Sequence, residues 1–157
     1  MDVVIRPYQA GDLEALRLIT IESFDGVSFD QIVESKFGVL NGHDWQWRKA
    51  RHIEDDVTAN PAGAFVAETD SQIIGYITTA IDRASGKARI PNLAITAQAR
   101  GQGLGRKLIQ HALDYLRSEG VAYAMIETMA GNETGEHLYP SCGFVEIGRQ
   151  IHFGIKL

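Results

Sequence analysis

The sequence predicts an α+β fold in which helices cover a mixed, mostly antiparallel sheet. One observation is the irregular order of strand-like and helix-like runs, β-α-α-β-β-β-α-β-α-β-β, which differs from the steady alternation of a doubly wound domain. The other is a series of strand-like runs with short turns between residues 64 and 95, which indicates an antiparallel meander. The predicted content is about six or seven strands and about four helices.

The first part of the chain predicts one strand followed by helices. Residues 3–6 form a β-rich run that ends at a proline. Asp12 suits the N-cap of a helix whose apolar residues recur every three or four positions, and Ser28 suits the N-cap of a second helix. Residues 45–57 form another helical run, which the Asn-Pro pair at 60–61 ends.

The rest of the chain supplies most of the sheet. It predicts strands at 64–68, 72–81 and 88–95, a helix at 104–119, a strand at 121–128, a helix at 132–142, and strands at 144–149 and 151–157. Because a helix joins the runs at 88–95 and 121–128, we expect these two strands to be parallel neighbours.

Composition favours one soluble globular domain over residues 1–157. Apolar residues make up 45% of the chain and charged residues 22%, an ordinary balance for such a domain. A net charge of −5 without a basic run disfavours nucleic-acid binding. No apolar run reaches the roughly 20 residues that span a bilayer, and the first residues lack the pattern of a signal peptide. We expect neither nucleic acid nor a membrane as a partner.

Cysteine usage fits a cytoplasmic protein without a metal cofactor. Cys142 is the one cysteine, so neither an internal disulfide nor a cysteine-based zinc cluster can form. His43 and His52 lie among acidic residues but lack the tight spacing of metal ligands.

A glycine-rich loop stands between a predicted strand and a predicted helix. Its residues are Arg100, Gly101, Gln102, Gly103, Leu104 and Gly105, followed by Arg106. Glycines let backbone N–H groups converge and let a ligand approach closely, and a helix N-terminus adds about half a positive charge. The loop is therefore suited to bind a pyrophosphate, with an ordinary glycine-rich turn as the alternative.

Two common phosphate motifs do not fit this loop. A Walker A loop needs Gly-Lys-Ser or Gly-Lys-Thr, whereas Gly105 is followed by Arg-Lys-Leu. A dinucleotide fingerprint needs G-x-G-x-x-G in the first βαβ unit, whereas this loop reads G-x-G-x-G after antiparallel strands. The remaining pattern is the acyl-CoA cradle, Arg/Gln-x-x-Gly-x-Gly/Ala, which Arg100, Gly103 and Gly105 match.

Two sequence blocks resemble the GNAT superfamily of N-acetyltransferases. The first is Leu93-Ala94-Ile95-Thr96 with the glycine loop, which looks like the family's bulged fourth strand and cofactor loop. The second is Asn132 with Leu138-Tyr139-Pro140-Ser141-Cys142-Gly143-Phe144, which looks like Asn…Leu-Tyr-x-x-x-Gly-Phe. The spacing of Glu127, Asn132 and Tyr139 is similar to that of the ribosomal-protein alanine N-acetyltransferases, from which residues 128–131 depart.

The resemblance implies a three-layer α/β/α arrangement around a twisted sheet that splays open between strands four and five. The pantetheine arm of acetyl-CoA would lie in the splay, and the N–H groups of 102–105 would hold its pyrophosphate. Arg106 or Lys107 could reach other phosphates or simply face solvent. The cofactor-binding residues that the resemblance implies are Leu93, Ala94, Ile95, Arg100, Gly101, Gln102, Gly103, Leu104, Gly105, Arg106, Asn132 and Tyr139.

The resemblance also implies two catalytic side chains. Tyr139 would be the general acid toward the leaving thiolate, which needs a lowered Tyr pKa or a late proton transfer, since free Tyr has a pKa near 10 and a thiol near 8.5. Glu127 would be the base, directly or through an ordered water, with Glu68 as a second candidate. The N–H group of Ile95 would polarise the thioester carbonyl.

The predicted activity is direct acetyl transfer from acetyl-CoA to a primary amine of a peptide N-terminus, a lysine or a small molecule. A non-catalytic acyl-CoA-binding sensor is the alternative, and it could dispense with Glu127 and Tyr139. The short chain after Phe144 leaves open a homodimer in which another subunit completes the last hairpin. Segment 25–60 would lie near the acceptor groove.

Overall fold

The computed structural model describes residues 2–157 and confirms the α+β class. The strands are β1 (Val4–Pro7), β2 (Phe65–Thr69), β3 (Gln72–Ile77), β4 (Ala80–Asp82), β5 (Lys87–Ile90), β6 (Leu93–Ile95) and β7 (Tyr123–Ile126). The helices are α1 (Leu13–Phe24), α2 (Phe29–Phe37), α3 (Trp45–Ala59), α4 (Leu104–Ser118) and α5 (Glu133–Ser141). The described residues thus hold five α-helices, which agrees approximately with the predicted total of about four and lies at the five helical runs named above.

The sheet is mixed and mostly antiparallel, as predicted. Four strands pair in the order β1-β2-β3-β6 and three in the order β4-β5-β7. Among the described strands, the one parallel pair is β5 with β7, in the register Lys87↔Tyr123 to Ile90↔Ile126. This pairing confirms the crossover through α4 that the sequence predicted.

Helices cover both faces of the sheet. Phe65 and Ala67 on β2 face α4, and Val66 faces α1 and α3, because side chains alternate along a strand. The stripe that α4 buries consists of Leu104, Leu108, Ile109, Ala112 and Leu116. Full burial of a leucine or isoleucine contributes about 1.5–3 kcal/mol, so this stripe fixes α4 firmly on the sheet.

Two predicted strands are each divided in two. The run at 72–81 forms β3 and β4, and the run at 88–95 forms β5 and β6. At the bend between them the Asn92 N–H donates to the Thr78 hydroxyl oxygen at 3.2 Å instead of to a backbone carbonyl. The Thr78 hydroxyl thus replaces one backbone hydrogen bond between the two strands, and both strands are interrupted at this point.

The prediction of strands at 144–149 and 151–157 is wrong. Within residues 2–157, no backbone hydrogen bond involves a residue after Phe144, whose N–H donates to the Tyr139 carbonyl at 3.1 Å. Alternating apolar residues make a segment able to pair, but a strand forms only where a neighbouring edge supplies hydrogen bonds. Among the helices of residues 2–157, none combines the length and the apolar character that a membrane span requires.

Candidate active site

The sheet opens between β6 and the end of β7. The parallel pairing of β5 and β7 ends at Ile90↔Ile126. After the bend at Asn92, β6 pairs with β3 and has no partner on its other edge within the described chain. This opening is the splay that the resemblance implied between the family's fourth and fifth strands, which are β6 and β7 in the numbering used here.

Register decides which backbone groups of β6 face this opening. Thr96 N–H donates to the Ile74 carbonyl at 2.9 Å, and Thr78 N–H donates to the Asn92 carbonyl at 3.0 Å. In an antiparallel ladder, hydrogen-bonded and non-hydrogen-bonded pairs alternate. The even-numbered residues of this strand, Ala94 included, therefore bond to β3. Leu93 and Ile95 direct their N–H and C=O groups to the open edge.

The carbonyl of Ile95 already has partners in the protein. It accepts hydrogen bonds from the Ser23 hydroxyl at 3.0 Å and from Arg100 Nε at 3.2 Å. Ser23 comes from α1, so these bonds join α1, β6 and the glycine loop. The N–H of Ile95 and both backbone groups of Leu93 are the groups that remain for a ligand on this edge.

The glycine loop adopts the conformation that only glycine takes easily. Gly101 has φ of +74° and Gly103, the N-cap of α4, has φ of +77°, and a Cβ atom at either position would meet nothing within 4 Å. Both glycines are therefore required by backbone conformation and not by packing. The first hydrogen bond of α4 runs from Lys107 N–H to the Gly103 carbonyl at 3.2 Å. The N–H groups of residues 104–106 thus lack helical partners, as at any helix start.

Gly105 has a different role from the other two glycines. A Cβ atom there would lie 3.1 Å from Leu138 Cδ2 and 3.4 Å from Ile95 Cδ1. This close approach places α4 against both β6 and α5. Leu104 buries its side chain in the core, so only its backbone can reach a ligand.

The polar side chains of the loop are engaged within the protein. Gln102 Nε2 donates to the Gln98 carbonyl at 3.2 Å. Arg106 donates to the Ser141 carbonyl at 2.7 Å and to its hydroxyl at 3.1 Å. Since Arg106 holds the end of α5, the backbone N–H groups are the better candidates for phosphate contacts.

Helix α5 positions Tyr139 beside this loop. Leu138 touches Gly105, and the Tyr139 ring meets Phe144 edge-on with centroids 6.2 Å apart. Burial, with a smaller effect of Cys142, raises the pKa of Tyr139 above 10.0. The lowered pKa that full proton transfer would need is therefore absent. Tyr139 stays protonated through the neutral range and is suited to donate a hydrogen bond.

Glu127 lies one residue beyond β7 and is exposed. Its Oε1 is 3.7 Å from Arg89 Nη2 on β5, and 61% of its side-chain surface is accessible. The other candidate base, Glu68, is on β2, where its Oε2 accepts a 2.6 Å bond from Arg6. Because β3 separates β2 from β6, Glu68 is not next to the opening.

Asn132 is the N-cap of α5, but its side chain makes no capping hydrogen bond. Gly135, one turn later, packs on Thr128: a Cβ atom there would lie 2.6 Å from the Thr128 hydroxyl oxygen. The helix thus brings Asn132 and Tyr139 close to the segment that follows β7 and contains Glu127.

A polar network at the bend before β6 was missed by sequence reasoning. Buried Asn92 donates from Nδ2 to the Asp56 carboxylate and accepts from Lys49 Nζ at 3.2 Å. Burial raises the pKa of Asp56 and lowers the pKa of Lys49. Both Lys49 and Asp56 come from α3. The only available signal was an asparagine inside a predicted strand, where this residue type is uncommon.

A separate depression lies between α1 and the turn after β2. Its charged side chains already have partners: Arg6 pairs with Asp12 at 2.8 Å, and Glu22 accepts the Ala97 N–H at 2.8 Å. It therefore offers less free hydrogen-bonding capacity than the opening. Across residues 2–157, no group of three His, Cys, Asp or Glu side chains is placed to hold a metal ion.

The sequence pattern of the acetyltransferase (GNAT) family matches residues 27–144. The chain belongs to this family. The match includes the bend, β6, the glycine loop and α5, and it ends at Phe144. Family membership confirms the resemblance on which the predicted fold and cofactor site depend.

Relatives and solved structures agree with this assignment. Mycothiol acetyltransferase of Streptomyces avermitilis is 33% identical over 107 residues, which are 68% of this chain and 33% of that protein. PaiA N-acetyltransferase of Thermoplasma acidophilum, solved with coenzyme A, aligns with a TM-score of 0.72 at 20% identity over 90% of this chain and 88% of its own. The Escherichia coli ribosomal-protein-S18-alanine N-acetyltransferase has a TM-score of 0.69 at 21% identity over 94% and 80%.

These similarities differ in what they support. At about one-fifth identity, the two solved structures show a shared fold. The chain spans about a third of the length of the mycothiol acetyltransferases that it matches. The family and the fold are therefore established, whereas the acceptor has to be argued from the site.

Proposed function

We propose that this GNAT-family chain is an acetyl-CoA-dependent N-acetyltransferase that transfers acetyl directly to a primary amine of a peptide N-terminus, a lysine or a small molecule. The observation that carries the proposal is the alignment of two sets of backbone groups around one opening. Leu93 and Ile95 turn their polar groups to the open edge of β6, and the first turn of α4 presents N–H groups nearby.

These groups suit the two polar parts of acetyl-CoA. The N–H groups of residues 102–105 would bind the pyrophosphate, since the helix N-terminus favours an anion. The amide groups of pantetheine would add to the open edge of β6 as a further strand does, through Leu93 and Ile95. No metal takes part in this proposal.

The reaction needs a neutral amine. Its nitrogen attacks the thioester carbonyl, a C–N bond forms, the C–S bond breaks, and the amine loses one proton while the thiolate gains one. The Ile95 N–H is the candidate stabiliser of the negative charge that develops on the carbonyl oxygen. Tyr139 would donate a hydrogen bond to the leaving sulfur, with its proton transferring only late because its pKa is raised.

Glu127 is the candidate base, and a water relay suits it better than direct contact. A carboxyl near pKa 4.3 that deprotonates a lysine near 10.4 would face a gap of about 8 kcal/mol. An α-amino group near pKa 7.7 is already partly neutral at pH 7. We therefore expect amines of low pKa, such as peptide N-termini, to react faster than lysine side chains.

The proposal also specifies the domain, the compartment, the partners and the oligomeric state of the enzyme. Residues 1–157 form a single acetyltransferase domain that acts in the cytoplasm, with acetyl-CoA and an amine as its partners and without nucleic acid or membrane. A homodimer is part of the proposal, and the C-terminal segment is the candidate surface for it.

Two measurements test the proposal. Calorimetry with coenzyme A should detect one site per chain, and thiol release from acetyl-CoA should rise when peptide N-termini, polyamines or amino acids are added. Reactions without amine correct for simple thioester hydrolysis. Binding without amine-dependent thiol release would support the sensor alternative, and the lack of any binding would refute both.

A further inference from the structure

Asn92 occupies the bend at which the sheet opens. It lies between Ile90, where the pairing of β5 with β7 stops, and Leu93, where β6 begins. Pro91 beside it has no N–H group to donate to a ladder. Only 3% of the surface of Asn92 is exposed. A polar side chain is therefore buried at the point where the backbone changes its partners.

Each polar atom of Asn92 takes part in a hydrogen bond. On the backbone, its N–H donates to the Thr78 hydroxyl at 3.2 Å, and its carbonyl accepts from the Thr78 N–H at 3.0 Å. On the side chain, Nδ2 donates to the Asp56 carboxylate, and Oδ1 accepts from Lys49 Nζ at 3.2 Å. Lys49 and Asp56 both belong to α3, so these bonds tie the bend to that helix. A buried network in which each member is satisfied fixes a single geometry.

The other end of β6 is held by α1. The Ile95 carbonyl accepts a hydrogen bond from the Ser23 hydroxyl at 3.0 Å. Lys49 joins the two anchors, because its Nζ lies 4.1 Å from the centroid of the Phe24 ring, and Phe24 is next to Ser23 on α1. Strand β6 has three residues and, in the described chain, pairs with β3 alone. The two anchors and β3 together therefore set the direction of its outward N–H groups.

Titratable groups approach this cluster from three elements. Those near Asp56 are Lys49 and His52 on α3 and Arg89 on β5. Lys49 also has Asp30 on α2 as a neighbour. Burial raises the pKa of Asp56 and lowers the pKa of Lys49. Because both charges are partly desolvated, a further charge at the position of Asn92 would disturb the cluster strongly.

We propose that Asn92, held by Asp56 and Lys49, is a positioning residue that aims the Ile95 N–H at the carbonyl oxygen of the bound thioester. The proposal rests on the acetyltransferase function proposed above. An oxyanion donor works only within a narrow range of distance and angle, and a displacement of about 1 Å can cost about a hundredfold in rate. Asn92 acts through strand β6 and not through the glycine loop. Its loss should therefore affect the chemical step more than the affinity for the cofactor.

The variant Asn92→Asp keeps the size of the side chain but places a second carboxylate beside Asp56. We expect kcat for amine-dependent thiol release to fall by about tenfold or more. The dissociation constant for coenzyme A, measured by calorimetry, should stay within about twofold of the wild-type value. The double variant Asn92→Asp/Asp56→Asn restores one amide and one carboxylate in exchanged places. It should recover most of the lost kcat, because the hydrogen bond between the two side chains forms again.

The pH dependence of Asn92→Asp provides a measurement that a simple loss of packing would not change. Two carboxylates in contact can share one proton, and the protonated partner can again donate a hydrogen bond. The kcat of Asn92→Asp relative to the wild type should therefore rise as the pH falls from about 8 to about 6. The double variant has one carboxylate in the pair and should show no such rise.

Asp12→Asn is the matched control for a general loss of stability. Asp12 belongs to a partly buried polar cluster with Arg6 on β1, and β2 and β3 separate β1 from β6. This variant should unfold more easily but keep the wild-type kcat. If Asn92→Asp does not fold, Lys49→Met replaces it in the test. Lys49→Met removes one hydrogen bond from Asn92, keeps apolar packing on Phe24, and should lower kcat by about threefold or more.

Three results would overturn the positioning role. They are a wild-type kcat in Asn92→Asp, an equal loss of kcat in Asp12→Asn, and a double variant that recovers nothing. A wild-type protein that binds coenzyme A but releases no thiol with any amine would instead refute the proposed function itself. Failure of the positioning role and failure of the proposed function are thus distinguishable.

Discussion

Replacing Gly103 by alanine adds one methyl group at the residue that begins α4. The backbone there has φ of +77°, and the new Cβ would meet no atom of the protein within 4 Å. The cost to folding is therefore backbone strain alone, about 1–2 kcal/mol for an L residue in the left-handed region. Any further effect must come from what approaches the loop from outside.

Gly120 offers a matched control in the same chain. It has φ of +74° and equally open surroundings, and it follows the far end of α4, about 20 Å from the loop. Gly120→Ala and Gly103→Ala should lower the free energy of unfolding by similar amounts, which thermal denaturation measures. Only one of the two changes lies in the proposed pyrophosphate cradle.

Calorimetry with coenzyme A separates the two variants. We expect Gly103→Ala to weaken binding by tenfold or more, about 1.4 kcal/mol, because the methyl group and the shifted N–H groups disturb the anion site. Gly120→Ala should bind like the wild type. Equal dissociation constants for both variants would refute the assignment of the loop as the cofactor cradle.

Three further predictions concern the chemistry and the stability of the chain. Tyr139→Phe should lower kcat by at least about tenfold with little change in acetyl-CoA affinity, measured by thiol release with Tyr115→Phe as control; a normal kcat would remove Tyr139 from the mechanism. Glu127→Gln should lower kcat/KM at pH 7 by about tenfold or more, and a variant with the wild-type rate and an unchanged pH profile would exclude a role as base. The hydrogen bond from Arg6 lowers the pKa of Asp12 below 3.8 in the folded state. The stabilisation that ionised Asp12 gives to the folded protein is therefore complete above the pKa that Asp12 has in the unfolded chain. It is lost as the pH falls through the pKa that Asp12 has in the folded protein. Asp12→Asn should thus cost about 1–2 kcal/mol at pH 7, and the deficit in urea denaturation should close in acid; a constant deficit would contradict this reasoning.

Local features of the sequence predicted the framework of the site well. The glycine loop, the helix after it and the crossover to β7 all depend on short-range signals, namely backbone freedom at glycine and an apolar stripe on α4. The pairing of Gly75 with Ile95 could not be read in the same way, because register depends on contacts between distant segments. It is this register that turns Leu93 and Ile95 toward the opening.

The pKa shifts of buried side chains could not be predicted from the sequence, for a related reason. The sequence left open whether Tyr139 has a lowered pKa or transfers its proton late, and only its burial in the fold shows that its pKa is raised. The pKa values of Asp56 and Lys49 are shifted because the fold buries both side chains beside Asn92. A pKa depends on desolvation and on neighbours in space, and neither is encoded in local spacing.

The sequence by itself determined the family, the order of most elements and the loop that suits a pyrophosphate, because these follow from residue types at fixed short spacing. The tertiary structure alone decided which amides face the opening and that Arg106 holds α5. It also decided that, within residues 2–157, the alternating residues after Phe144 have no strand beside them. Periodicity makes a segment capable of pairing, but hydrogen bonds between strands need an edge in reach, and only the packed molecule determines which edges are in reach.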